Sequence, residues 1–158
     1  MNTLFSIEGI PIQCSDDGKY GTYLGHGRID DDGAGGNFWN DPDFQPDTTE
    51  HDRQGHALNA ETFPYFVVPP QIRAAFKGVV IGCKGRITNI LNGQSIDCLI
   101  GDIGPHTKLG ELSSFAAKQL GLNPDGNCGG TEQLILKYEF WPDLPFTYDN
   151  VTYPLLPA

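Results

Sequence analysis

The stretch GVVIGCKGRITNILNGQSIDCLIGD, residues 78–102, decides the fold. Val79-Val80-Ile81 begins a strand, and Arg86 to Leu91 continues it past a glycine interruption at Gly82 and Gly85. Asn92-Gly93 is the strongest short-range signal for a two-residue β-hairpin, because both turn positions need positive φ. Ser95 to Ile100 then returns antiparallel. Gly101-Asp102-Ile103-Gly104-Pro105 is expected to end that strand in a sharp turn.

Outward from this hairpin the pattern stays β. Tyr65 to Val68 is a short, wholly apolar run closed by Pro69-Pro70, which marks a buried strand. Residues 1–28 divide into short strands around Asp16-Asp17-Gly18. Gln133 to Phe140 is the last core strand, and the Pro- and aromatic-rich tail from Trp141 is expected to lie across the surface. Residues 30–56 are polar, lack periodicity and form a long loop, with a short helical turn expected at Ala57–Ala60. One helix is expected: Leu112, Phe115, Ala116 and Leu120 recur at helical spacing, and Gly121 supplies the stop. Glu111 falls at or just before its first turn. No repeat, linker or second domain is visible. The fold class is mainly β, a single domain over residues 1–158, built as a six- or seven-strand barrel with one packed α-helix.

The composition narrows the function. With 158 residues the chain suits one core, and 39% hydrophobic residues argue for a packed globule. Gly 20 and Pro 12 favour a turn-rich β protein. A formal net charge of −10 disfavours nucleic acid as a partner, since phosphate is repelled. No apolar run approaches the roughly 20 residues that span a bilayer, so no membrane partner is expected. Residues 30–52 carry eight carboxylates and no Lys or Arg. Such a segment is either a solvated loop or a groove that attracts a cationic ligand. Cys14, Cys83, Cys98 and Cys128 lack zinc spacing. Cys83 and Cys98, on adjacent expected strands, are the best candidate pair for a disulfide. Asp30-Asp31-Asp32-Gly33 does not fit the spacing of an EF-hand loop, and the four histidines show no ligand pattern. No metal or cofactor is expected.

Asp102 and Glu111 form the sharpest constellation. A strand end and a helix start joined by a tight Gly/Pro loop can aim two carboxylates at one cleft, and glycoside hydrolysis needs two. The structural alternatives are an Asp that ties the turn together and a Glu that complements the helix dipole. On the catalytic reading, Asp102 follows an apolar strand, whose burial raises a carboxyl pKa and suits a general acid. Glu111 at a helix N-terminus suits a general base. His106 and Lys108 lie between the two acids and are candidate substrate contacts. Trp39, with Phe38 and Phe44, offers aromatic faces within the acidic segment.

Four segments in order carry a family resemblance: Pro64-Tyr65-Phe66-Val67-Val68-Pro69; Gly101-Asp102-Ile103-Gly104-Pro105; Leu109-Gly110-Glu111-Leu112-Ser113; and Leu120-Gly121-Leu122-Asn123-Pro124. Together with Ile29-Asp30-Asp31-Asp32-Gly33, they resemble the fungal-type chitosanases of glycoside hydrolase family 75, over roughly residues 28–140. The resemblance implies endo-hydrolysis of chitosan by an inverting mechanism. Asp102 would stand at the family's catalytic Asp and Glu111 at its catalytic Glu. Asp30 and Asp32 would bind the cationic substrate. The Gly-Asp-x-Gly-Pro turn is also similar to that of double-psi-type barrel enzymes, which implies a double-psi-like barrel here.

The acidic motif lacks the family's cysteine. That departure keeps two alternatives open: a peptidoglycan-cleaving enzyme, either muramidase or lytic transglycosylase, and a non-catalytic glycan-binding barrel. Two retained acids argue against the latter. The expected partner is a polysaccharide substrate, and a monomer is expected. The first residues lack the basic region and apolar core of a secretory signal. A secreted, extracellular enzyme is expected nonetheless, exported by a route this segment does not encode.

Overall fold

The computed structural model describes residues 1–30, 58–79, 81–104, 108–126 and 128–156, and of Asp102 the backbone only. Ten strands and two short helices follow one another: β1 (Asn2–Ile7), β2 (Ile10–Cys14), β3 (Gly21–Asp30), β4 (Tyr65–Val68), α1 (Pro70–Ala75), β5 (Cys83–Asn89), β6 (Ser95–Ile103), β7 (Glu111–Ser113), α2 (Ser114–Gln119), β8 (Thr131–Pro145), β9 (Thr147–Tyr148) and β10 (Val151–Thr152).

Six of these strands close a barrel in the order β3-β7-β4-β6-β5-β8, with β8 pairing back onto β3. Two of the pairings, β3 with β7 and β4 with β6, are parallel. The closed six-strand, mainly β barrel is the one expected from the sequence. A hairpin joins β5 and β6 as anticipated, but its turn is the four-residue stretch 90–93 and not the two-residue type: Asn92 keeps a negative φ, Gly93 takes φ 76° and donates its N–H to the Asn89 carbonyl at 2.8 Å, and the Asn89 N–H donates to the Gln94 carbonyl at 2.8 Å. β6 runs antiparallel to β5 and continues through Asp102 to Ile103, beyond the expected turn.

The barrel interior is filled by Phe66, Ile87, Ile100, Leu112, Leu136, Tyr138 and Phe140, all fully buried. Close packing needs glycine where large rings lean across the sheet. A Cβ at Gly21 would lie 2.2 Å from the Phe140 ring, and one at Gly85 would lie 2.2 Å from Phe66. This is why Gly85, read from sequence as an interruption, sits inside β5. Ile7, Ile10 and Ile12 of the β1–β2 hairpin join the same core.

β4 is buried on both faces, which explains its unbroken apolar run. Phe66 and Val68 face the interior, while Tyr65 and Val67 join an outer cluster with Leu58, Phe63, Leu99, Phe146 and Tyr153. Phe146 and Tyr153 belong to the tail, so the tail covers this outer face and is part of the core. The helix expected after Glu111 is α2. Ala116, Ala117 and Leu120 are buried in the barrel core. Its end is a Schellman motif: Gly121 takes φ 78°, its N–H reaches the Lys118 carbonyl, and the Leu122 N–H reaches Ala117 at 2.9 Å. A second helix, α1, was not anticipated. Pro70 opens it at its first position, where proline's missing N–H costs nothing. The expected helical turn at 57–60 is a tight turn one step later, with the Thr62 and Phe63 N–H groups both reaching the Asn59 carbonyl.

None of the four cysteines is in a disulfide, which corrects the expected Cys83–Cys98 bridge. Cys98 pairs in register with Gly85, two residues beyond Cys83. The two cysteines are therefore diagonal neighbours, with a Cβ separation approaching 7–8 Å. A disulfide requires about 4 Å.

Candidate functional site

Val67 is the centre of the site. Its register partner on β6 is Asp102, and its register partner on β7 is Glu111. Glu111 in turn pairs with Arg28 on β3. Four strands thus carry Arg28, Glu111, Val67 and Asp102 in one cross-strand row. Two strand spacings separate the Asp102 and Glu111 backbones, about 10 Å. Their adjacency depends on an irregularity. The pairing of β4 with β6 shifts between Phe66 and Val67, so Ile100 faces Phe66 while Asp102, not Gly101, stands opposite Val67. A bulge of this kind re-aims the residue that follows it.

Glu111 begins a strand and not a helix. It lies in β7, and the cap of α2 is Ser113, whose hydroxyl accepts from the Ala116 N–H at 3.2 Å. The Ser113 hydroxyl also donates to the Phe63 carbonyl at 2.8 Å. The helix-dipole argument for Glu111 as the base therefore falls. Its nearest charged neighbour along the row is Arg28. Asp102 is the last residue but one of β6, close to the strand end that the sequence suggested.

Among the other expected contacts, Asp30 ends β3 opposite Ser113, two residues along from Arg28. This places Asp30 beside the row. Lys108 is exposed on the segment leading into β7. Asp32, Trp39 and His106 lie outside the described residues, as does the rest of the acidic segment through residue 57.

Sequence reasoning missed three residues, Glu8, His26 and Arg28, that gather at the lead into β7. Glu8 occupies the tip of the β1–β2 hairpin, where Glu8 and Gly9 take φ 53° and 76° in a two-residue primed turn. Its carboxylate accepts from the Leu109 N–H at 2.8 Å and from the Arg28 guanidinium at 3.0 Å, and it lies 3.4 Å from His26 Nε2. Partial burial pushes the Glu8 carboxyl up, but the Leu109 N–H, His26 and Arg28 outweigh it and hold it below the usual carboxylate value. The alternating Phe5, Ile7, Ile10 and Ile12 could have located the hairpin. No local pattern could have shown that its tip meets a residue 101 positions on.

Two further contacts tighten this corner. The Arg28 N–H donates to the Gly110 carbonyl at 2.6 Å. Gly110 has φ 83°, and a Cβ there would lie 2.3 Å from His26 Nδ1. That Nδ1 is buried with no hydrogen-bond partner among the described residues, as is the Tyr23 hydroxyl. Burial, then the negative charge of Glu111, pushes the Tyr23 phenol well above its usual value. Tyr138 is raised by burial, with Tyr23, Cys98 and Glu111 adding to it. The Tyr138 hydroxyl donates to the His26 carbonyl at 2.8 Å. The charge of Glu111 thus reaches two buried phenols of the barrel interior.

Among the described residues, no group of three or more His, Cys, Asp or Glu side chains is arranged to hold a metal ion. No helix among them is long and apolar enough to cross a membrane. No protein-family model matches the chain, and no curated protein matches it.

Proposed function

We propose that this protein is an inverting endo-chitosanase that hydrolyses β-1,4 bonds between glucosamine units, with Asp102 and Glu111 as its acid–base pair. The observation that carries the reading is the shared register partner. Two carboxylate residues nine positions apart in sequence flank Val67 on adjacent strands. Backbones about 10 Å apart on one row suit the 6.5–9.5 Å carboxyl separation of inverting enzymes, which leaves room for a water. The order of motifs resembling family 75 supports the same pair. The net charge of −10, and Asp30 beside the row, favour a cationic polymer.

In this mechanism one carboxylic acid protonates the leaving glycosidic oxygen while the other carboxylate removes a proton from the attacking water. Asp102 is the proposed acid and Glu111 the proposed base.

The test is reducing-end release from chitosan, chitin and purified cell wall, by wild type, Asp102→Asn and Glu111→Gln. Chitosan should be the preferred polymer, and each variant should lose at least about a hundredfold in rate while keeping its fold. Cleavage of cell wall alone would turn the reading to a peptidoglycan enzyme. Binding without cleavage would turn it to a glycan-binding barrel. Azide on a substrate with a good leaving group assigns the roles: it should rescue Glu111→Ala, and Asp102→Ala should stay active without it.

A further inference from the structure

Arg28 presents the charge that the proposed base cannot use at full strength. As Glu111's register partner on a parallel strand, it sits about 4.8 Å away, backbone to backbone. A guanidinium that closed on Glu111 would hold it ionised but weaken it as a base, because a general base works best with a pKa near the operating pH. Among the described residues, the ion pair that the Arg28 guanidinium makes is with Glu8, at 3.0 Å. The same carboxylate takes the Leu109 N–H, two residues before Glu111.

We infer that Glu8 is a positioning residue for Glu111: it clamps the entry of β7 through Leu109 and draws the Arg28 charge away from the Glu111 carboxylate. The inference rests on the catalytic reading of Glu111. The contacts are divided between two oxygens, Oε1 on Leu109 and Oε2 on Arg28 and His26. One carboxylate thereby ties three segments: the β1–β2 hairpin tip, β3 and the lead into β7. An exposed ion pair of this kind contributes little stability by itself. Its value lies in where it leaves Arg28. Among the described side chains, the other titratable or charged groups on the strands that flank Glu111, or that feel its charge, are His26, Asp30 and Tyr23 on β3, Tyr65 on β4 and Tyr138 on β8, with Lys108 on its own lead-in segment. None of them is altered by the variants below.

Glu8→Gln separates the two roles, since the amide oxygen still accepts from Leu109 but no longer holds Arg28. The Glu111 carboxyl is followed by carbon-detected NMR titration, assigned by its loss in Glu111→Gln. In Glu8→Gln it should titrate about one pH unit lower than in wild type, the smaller end of what an adjacent Arg produces. The acidic limb of the hydrolysis profile should move with it. In the Glu8→Gln/Arg28→Met double variant the displacement should vanish. Glu8→Asp, with a shorter reach, should give a smaller displacement in the same direction and serves if the Gln variant does not fold. An unchanged titration in both single variants, or a displacement that persists without Arg28, would overturn the inference. The NMR titration needs no turnover, so a wild type inactive on every glycan would sink the catalytic reading while still deciding whether Glu8 governs Arg28.

Discussion

Gly110→Ala perturbs the site from the residue just before Glu111, and its cost can be worked from the structure. Two penalties add. At φ 83° an alanine sits in the left-handed region, which costs roughly 1–2 kcal/mol. Its methyl would also lie 2.3 Å from His26 Nδ1 and 2.4 Å from the His26 carbonyl oxygen. The ring can turn, but the carbonyl belongs to β3 and already accepts from the Tyr138 hydroxyl. Relief therefore means moving β7 away from β3, an overpacking cost of about 1–3 kcal/mol. Gly93→Ala is the control: its φ is 76°, and a Cβ there meets nothing within 4 Å. It carries the backbone penalty alone. For a chain of this size each kcal/mol lowers Tm by about 2–4 °C. Gly93→Ala should thus lose about 2–8 °C and Gly110→Ala about 4–20 °C, read by circular dichroism on matched samples. Shifting Glu111 by about 1 Å should also cost on the order of a hundredfold in chitosan hydrolysis, which Gly93→Ala should leave intact. Equal Tm losses in the two variants would refute the packing argument. A Gly110→Ala enzyme with the wild-type rate would show that the start of β7 does not aim the reacting group.

Two other outcomes follow from the same structure. Because the folded Glu8 carboxyl is held below its ordinary 4.5, its contribution to stability is complete above that pH and is lost as pH falls through the folded value. The stability gap between wild type and Glu8→Gln in urea should be constant from pH 7 to about 5 and narrow below about 4.5; a gap that widens on acidification would contradict the contacts drawn for Glu8. The free thiols should react in order of exposure, Cys128 first and Cys14 next. Cys83 and Cys98 should react only on unfolding, since both are buried, and burial, followed by Asp97, pushes the Cys98 thiol well up. Mass spectrometry after native alkylation would expose an error if it found Cys83 joined to Cys98.

By itself the sequence determined those features whose causes are local. The chain reverses at Asn92-Gly93 because Gly93 accepts the positive φ that the turn needs. Tyr65 to Val68 becomes a strand buried on both faces because four apolar residues between prolines have no polar side to show to water. Gly121 stops α2 because only a residue without Cβ accepts the left-handed position cheaply. Spacing and the motifs around them singled out Asp102 and Glu111 as the candidate acids. Their environment was not legible in the sequence. Glu111 is a strand residue because β7 is captured between β3 and β4, and a three-residue strand has no pattern of its own to announce it. The same pairing, with the shift between Phe66 and Val67, brings Asp102 onto the Glu111 row. Cys83 and Cys98 lie on neighbouring strands as expected, yet a two-residue offset in register keeps their sulfurs apart. Glu8 and Arg28 reach the lead into β7 from the hairpin tip and from β3, far away along the chain. Register and long-range contact are properties of the closed barrel, since each strand's partner is chosen by how all six pack together.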